Sequence, residues 1–342
     1  MSKKQTYPTS LETALASYHG FEYVITVRST KDAFYMAMRA GGLEHKDAVI
    51  CSPNAPLPFF RALYDLSLLP VYNDLRLNGS IEERFLERTL TSETKAVILA
   101  HNNGQLSPSD VAHNVTEKHN LLFIEDATEV LQTHHKSGAS LVVHSLSSLP
   151  TLQYEEGAYI ATQDQTLAKE LIKIREGGYV TKKLWNYDLI NTQENLQLSP
   201  LIADVAFKSI SSLPQHQKRL QEIAAVYMDE LSTSKLIELP HPSDLAPYHH
   251  FPIWLVPALF CPKEDIYQAL VDAGIDIEVG NKPIYKTTAF KDESLSLFGA
   301  EEVFKSQLLL PSHHLMRDED IIFVVETLEQ LLDTYSYRGC SF

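Results

Sequence analysis

The sequence predicts an open, mostly parallel α/β sheet with helices on both faces, followed by a smaller α+β unit. Three observations lead there. Over the first two-thirds of the chain, short apolar runs alternate with helical patterns, which is the signature of repeated β-α units. Several of these runs are unbroken rather than alternating, as strands buried on both faces require. After about Pro200 a long helical periodicity takes over. At 342 residues the chain also exceeds one ordinary core. We therefore expect a large domain over 1–205 and a small one over 206–342, entered by a long helix.

The apolar stretch Tyr23–Val27 precedes a helical segment over Lys31–Ala40. The candidate strands are Ala48–Cys51, Pro70–Tyr72, Ala96–Ala100, Leu121–Ile124, Leu141–Leu146 and Ala158–Thr162. Between them lie helical patterns over Ser80–Leu90 and Ser107–His119. In the second, Ser107 with Asp110 makes a capping pattern and Pro108 suits a first turn. Asp204–Leu231 reads as one long helical stretch interrupted near Pro214. His249–Leu255 is a strand, Lys263–Ala273 a helix stopped by Gly274, and Asp318–Leu332 a final helix.

Composition narrows the function classes. The net charge of −15 repels phosphate backbones and anionic bilayers, which argues against nucleic acid and membrane partners. The start, Met-Ser-Lys-Lys-Gln-Thr-Tyr-Pro, is followed by no apolar run, so it does not read as a signal peptide. No apolar stretch reaches the roughly 18 residues that span a bilayer. Cys51, Cys261 and Cys340 match no metal or disulfide spacing and read as reduced thiols. The expectation is a soluble cytoplasmic protein, with the sequons at Asn78 and Asn114 as chance matches. The pairs His134-His135, His249-His250 and His313-His314 have no carboxylate or cysteine spacing that would complete a metal site.

Three stretches carry chemistry. Leu121-Leu-Phe-Ile-Glu-Asp126-Ala-Thr-Glu129 places a carboxylate at the carboxyl end of a buried strand, the edge where open α/β sheets bind ligands. Asp126 and Glu129 also have the spacing of a helix capping box, and on spacing alone the cap is the stronger reading. Arg28-Ser29-Thr30 opens a helix, where hydroxyls and free N–H groups suit a phosphate; a plain N-cap is the alternative. Thr94–Gln105 reads as a strand leading to an Asn-Gly turn at the same edge.

Taken in order, these stretches resemble the DegT/StrS family of sugar aminotransferases, which depend on pyridoxal phosphate (PLP) and have fold type I. Thr94–Gln105 is similar to the family's "TKAIIPVHLYGQ" and Glu117–Val130 to "EKHGLLVIEDAAQA". Gly157–Asp164 is similar to "GGAVVTND", Asn195–Ser199 to "NYRLS", Tyr248-His249 to "YH", and Leu308–His313 to "LSLPLHP". The resemblance implies a PLP-transferase fold over nearly the whole chain and a homodimer whose active sites form at the interface. It implies that Asp126 faces the pyridine nitrogen and that Ser29, Thr30 and Ser145 take the phosphate. Asn195 would reach the phosphate of the neighbouring subunit's site. Glu129 would stand where the family usually has a glutamine beside the phenolic oxygen, a second anion unless one group is protonated.

The family's Schiff-base lysine is missing. The run from Ser145 to Gly157 contains no lysine, and a gap-free count puts Pro150 at that position. Proline offers neither a primary amine nor a base. The aromatic that should stack on the pyridine falls within Asn54–Pro58, where none occurs before Phe59. Gln197 replaces the arginine of "NYRLS", and Gly280-Asn-Lys282-Pro283 replaces an "HYP" stretch. The expectation is a degenerate family member of amino-sugar or surface-polysaccharide biosynthesis, without classical transamination. Two alternatives stay open. One is a noncanonical enzyme using PLP or pyridoxamine phosphate (PMP), either as an aminotransferase or as a dehydratase. The other is a structural partner of an active paralogue. A non-covalent cofactor and none at all both fit the sequence, as does a nucleotide-sugar ligand.

Overall fold

The structure is a computed structural model that describes residues 9–130, 137–148, 157–177, 179–183, 186–189, 194–241, 250–256 and 262–338. Its centre is a seven-stranded sheet. In chain order the strands are β1 (Tyr23–Val27), β2 (Ala48–Cys51), β3 (Leu69–Tyr72), β4 (Thr94–Ala100), β5 (Leu122–Asp126), β6 (Leu141–Ser145) and β7 (Ala158–Thr162). They lie side by side as β1-β7-β6-β5-β4-β2-β3. Only β7 runs against its neighbours; the other pairings are parallel. The expected α/β class with a mostly parallel sheet is what the chain adopts.

The unbroken apolar runs have a direct cause: both faces of the sheet are covered. On one face Ile25, Val27, Val49, Ile98, Ile124, Val143 and Ile160 pack under α2 (Thr30–Ala40), α3 (Leu57–Leu66) and α6 (Gln165–Arg175). On the other face Val24, Val142, Tyr159 and Ala161 meet α1 (Ser10–His19) and α7 (Pro200–Ile210). Further along that face, Ile50, Val97, Leu99 and Phe123 pack with α5 (Asp110–His119) and Leu86 of the short α4 (Glu83–Leu86). Each of these larger side chains contributes about 1.5–3 kcal/mol by leaving water. Two short strands, β8 (Tyr179–Lys183) and β9 (Asn186–Leu189), form a separate antiparallel pair.

A second core gathers residues from Leu220 to Leu332. It joins α8 (Leu213–Glu230), α9 (Lys263–Asp272) and α11 (Asp318–Arg338) to a three-stranded antiparallel sheet. The order of that sheet is β10 (Ile237–Glu238), β11 (His250–Leu255) and β12 (Gln307–Pro311). The remaining helix, α10 (Phe298–Ser306), bridges the two regions: Asp74 Oδ1 and Oδ2 accept from its Ala300 and Gly299 N–H groups. Among the described residues no helix is long and apolar enough to cross a membrane.

Three local expectations are corrected. The helix expected over Ser80–Leu90 shrinks to Glu83–Leu86 and one 3₁₀ turn over Glu87–Thr89. Asn78 Oδ1 accepts from both the N–H and the hydroxyl of Ser80. Together with Gly79 at φ +84° this closes a turn, which pairs Leu75 with Ile81 instead. Ser107 does not cap α5; its hydroxyl donates to Ala100 C=O at 2.8 Å, and the helix starts at Asp110 after an uncapped Ser109. The interruption expected near Pro214 in the stretch Asp204–Leu231 falls slightly earlier, at Ser211-Ser212, and separates two helices, α7 and α8. Pro214 sits in the first turn of α8, where its missing N–H costs nothing. Four helices are absent from the sequence reading: α1, α10, α3, whose opening Pro56-Leu-Pro58 hides its start, and α6, capped by Asp164.

Candidate functional site

The carboxyl ends of β4, β5 and β6 meet at one edge of the large sheet. Strand alternation decides which side chains share that edge. Ile124 and Val143 face the core under α2, so Asp126 and Ser145, two residues further on, face the same way. Helix α2 starts there too, and its first residue, Thr30, donates from Oγ1 to Ser145 Oγ at 3.4 Å.

Asp126 is 2% exposed. Its Oδ1 accepts from the N–H and hydroxyl of Thr128, at 3.0 and 2.6 Å. Its Oδ2 is buried and has no hydrogen-bond partner among the described residues. Burial pushes the carboxyl upward from its ordinary pKa, against the Thr128 bonds and the field of His101. No helix begins within 127–130; a turn follows β5, so the capping-box reading of Asp126 and Glu129 is overturned. Local geometry explains it, because Asp126 spends its capping oxygen two residues on, at Thr128.

The hydroxyls form a chain. Ser145 Oγ lies 2.6 Å from Ser147 Oγ and accepts the Ser147 N–H at 3.2 Å. Ser147 escaped the sequence reading, although the Ser-Leu-Ser spacing at a strand end was visible. Ser29 is the N-cap of α2, and its side chain accepts the Asp32 N–H at 3.2 Å. The same hydroxyl donates to Asp32 Oδ2 at 2.7 Å. Asp32 is 3% exposed, and Arg28 Nε donates to its Oδ2 at 2.7 Å. Lys31 Nζ stands 3.5 Å from its other oxygen. A carboxylate compensated by two cations therefore sits in the first turn of the helix that opens the site.

Behind Asp126, on the opposite face of the strands, Glu125 is 2% exposed and accepts from Ser137 Oγ at 2.8 Å. His101 Nε2 lies 3.7 Å from Glu125 Oε1. His101 Nδ1 accepts the Ser107 N–H at 3.1 Å, which places the ring proton on Nε2, toward Glu125. The His101 backbone N–H donates to Asp126 C=O at 3.0 Å. This pair backs the site without entering it.

Glu129 is brought to the C-terminal half of the chain: Asn281 Nδ2 donates to its Oε1 at 3.2 Å, across 152 residues. Asn195 is exposed, and its Oδ1 accepts the Gln197 N–H at 2.9 Å. Its neighbour Leu196 holds this segment against the residues that precede α2. Arg28 N–H donates to Leu196 C=O, and Leu196 N–H donates to Arg175 C=O, both at 2.9 Å. Phe59 is fully buried, edge-on to Phe34 with ring centroids 5.3 Å apart, and belongs to the core. No aromatic from the 52–59 segment is therefore available at this edge. Pro150, the Tyr248-His249 stretch and His134-His135 lie outside the described residues.

The fold and several solved structures coincide. A Helicobacter pylori aminotransferase, PseC, described as involved in the biosynthesis of pseudoaminic acid, superposes with a TM-score of 0.89 at 20% identity. It covers 98% of this chain and 94% of that one. NtdA from Bacillus subtilis, solved with bound PMP, superposes at 0.85 with 24% identity over 96% of this chain and 78% of that one. In sequence, a UDP-4-amino-4,6-dideoxy-N-acetyl-beta-L-altrosamine transaminase of Campylobacter jejuni is 27% identical over 96% of this chain and 90% of its own length. Residues 3–329 match the DegT/DnrJ/EryC1/StrS aminotransferase family, and the chain belongs to that family.

Proposed function

We propose that this protein is a sugar aminotransferase-family member that binds PMP or PLP non-covalently and does not perform lysine-dependent transamination. Its ligand class would be a nucleotide-linked sugar, in the making of an amino sugar or a surface polysaccharide. The observation that carries the reading is Asp126 Oδ2, a buried carboxylate oxygen with no partner among the described residues, at the carboxyl-end edge of the sheet. A protonated ring nitrogen is the donor such an oxygen lacks, and its charge would hold Asp126 ionised despite burial. Thr30, Ser145 and Ser147 offer three linked hydroxyls at the start of α2, which suit a phosphate. The cofactor, when bound, supplies an electron-withdrawing ring and, in its amine form, the amino group. Asn195, exposed just before the apolar and exposed Leu201, Val205 and Phe207 of α7, supports a homodimer in which it serves the neighbouring site. The second core, over 220–332, supports a small domain following the large one.

Calorimetric and difference-absorbance titrations with PMP and PLP test the reading. We expect saturable binding of PMP, weakened by Asp126→Asn and by Ser145→Ala, and no pyridoxyl-lysine after borohydride treatment with PLP. Absence of binding by either form would overturn it.

One observation favours a second reading, a cofactor-free structural partner of an active paralogue. Asp32 already takes the Ser29 hydroxyl and the Arg28 guanidinium at the start of α2, so both are engaged before a phosphate arrives. If Asp32→Ala creates PMP binding that the native chain lacks, this second reading holds.

A further inference from the structure

Away from the sheet edge described above, α1, β1 and α6 enclose a cleft of about 340 Å³. Its walls are mostly apolar, formed by Ala16, Val24, Ile25, Ala168 and Ile172, with Glu12 and Arg175 among the lining residues. The volume is at the lower end of small-molecule pockets.

The polar groups of this cleft are unequally satisfied. Glu12 is 2% exposed and saturated. Its Oε1 accepts from Thr26 N–H at 2.9 Å, Thr26 Oγ1 at 2.9 Å and Arg175 Nη1 at 2.6 Å, and its Oε2 accepts from Thr9 N–H at 2.7 Å. Arg175, whose side chain is 11% exposed, also reaches Thr26 C=O at 3.4 Å through Nη1. Its Nε is buried and has no partner among the described residues. Among the described residues Arg175 Nε is thus a spare donor, whereas the Glu12 oxygens are taken and the other carboxylate of the lining, Glu22, sits at the exposed rim. Glu12 neutralises Arg175, and the exposed Glu22 at the rim leaves the lining net negative, which disfavours an anion.

We propose that this cleft is a second binding site, for a neutral, largely apolar small molecule that presents one carbonyl-type oxygen to Arg175. The apolar body would lie against Ala168 and Ile172. Occupation would be felt at the candidate functional site, because Arg175 C=O holds Leu196, and Leu196 C=O holds Arg28 next to Ser29 and Thr30. The inference is independent of whether the protein binds a pyridoxal-type cofactor.

The test is a methyl and amide NMR titration of the full chain with N-hexylacetamide, with hexanoate and hexylamine as charged comparators. We expect saturable shifts of the Val24, Ile25, Ala168 and Ile172 methyls, with the amide bound about tenfold tighter than either comparator. Ile172→Phe, at the half-buried wall, should abolish them. Arg175→Lys keeps a cation for Glu12 but removes the Nε–H, and should erase the preference for the amide. Should that variant fail to fold, the three-probe comparison on the native chain decides alone. Equal affinity for all three probes, no saturation, or unaltered binding by Ile172→Phe would overturn the site. Saturation without shifts of the Arg28 and Leu196 amides would overturn the coupling.

Discussion

Thr128 Oγ1 donates to Asp126 Oδ1 at 2.6 Å, and Thr128 N–H reaches the same oxygen at 3.0 Å. Both local donors are spent on one side of the carboxylate, so the other oxygen keeps its acceptor capacity while buried. Leaving such a group unsatisfied costs about 1–3 kcal/mol. A fold that retains it keeps the carboxylate fixed in direction and ready for a cationic donor.

Removing that capacity should be read in cofactor affinity. Asp126→Asn keeps the shape but loses the charge, so a charge-assisted bond worth about 1.5–3 kcal/mol disappears. We expect PMP to bind about 10–100-fold more weakly, measured by calorimetry.

The lysine-free run between Ser145 and Gly157 makes a second expectation. Pro150→Lys should not restore a borohydride-trapped pyridoxyl-lysine, or only in small yield. Holding the ring for an amine needs a stacking aromatic, and Phe59 is committed to the core against Phe34. A stoichiometric adduct at position 150, seen by peptide mass spectrometry, would mean that the site is intact but for one residue.

Glu12 joins α1, β1 and α6 through Thr9, Thr26 and Arg175. Its truncation strands Arg175 and the edge N–H of Thr26. Glu12→Ala should destabilise the chain by about 3–5 kcal/mol, as the loss of one partner of a buried ion pair does. Urea unfolding monitored by circular dichroism measures this.

Acid should destabilise the protein from about pH 6.5 downward. His144 is fully buried and stacked on Tyr159 at 4.7 Å. Burial, then the neighbouring His19 and His101, hold its pKa well below the ordinary value. His216 and His314, whose rings lie 4.1 Å apart, are also lowered, chiefly by burial. For a base lowered in the folded state, the unfolded chain takes the proton first. Stability is therefore full above the unfolded pKa and falls as pH drops toward the folded one. By pH 5.5 protonation of His144 in the unfolded chain should account for a measurable part of that loss. Comparing unfolding at pH 7.5 and 5.5 for the native chain and His144→Phe checks it; the variant should lose less.

For the assembly we expect a homodimer that uses the exposed apolar face of α7. Leu201→Glu with Phe207→Glu should shift light-scattering mass from two chains to one. If the native chain is already monomeric at micromolar concentration, Asn195 has no neighbouring site to serve.

The sequence by itself determined most of the sheet and the strand ends at which the candidate site lies. Strands β2, β4, β5, β6 and β7 were legible because both faces are buried, so their apolar runs carry no competing solvent periodicity. Asp126 was legible because a carboxylate ending such a run has few other places to go. Tertiary structure alone decided how the ends were used. Whether Asp126 capped a helix or left an oxygen free depended on a Thr128 turn, and the Ser80–Leu90 helix was lost to hydrogen bonds around Asn78. The contacts of Glu129 with Asn281 and of Glu12 with Arg175 span 152 and 163 residues. Local patterns report a residue's own backbone and burial preferences. Partners that distant are chosen by the packing of whole elements, which no short window of sequence records.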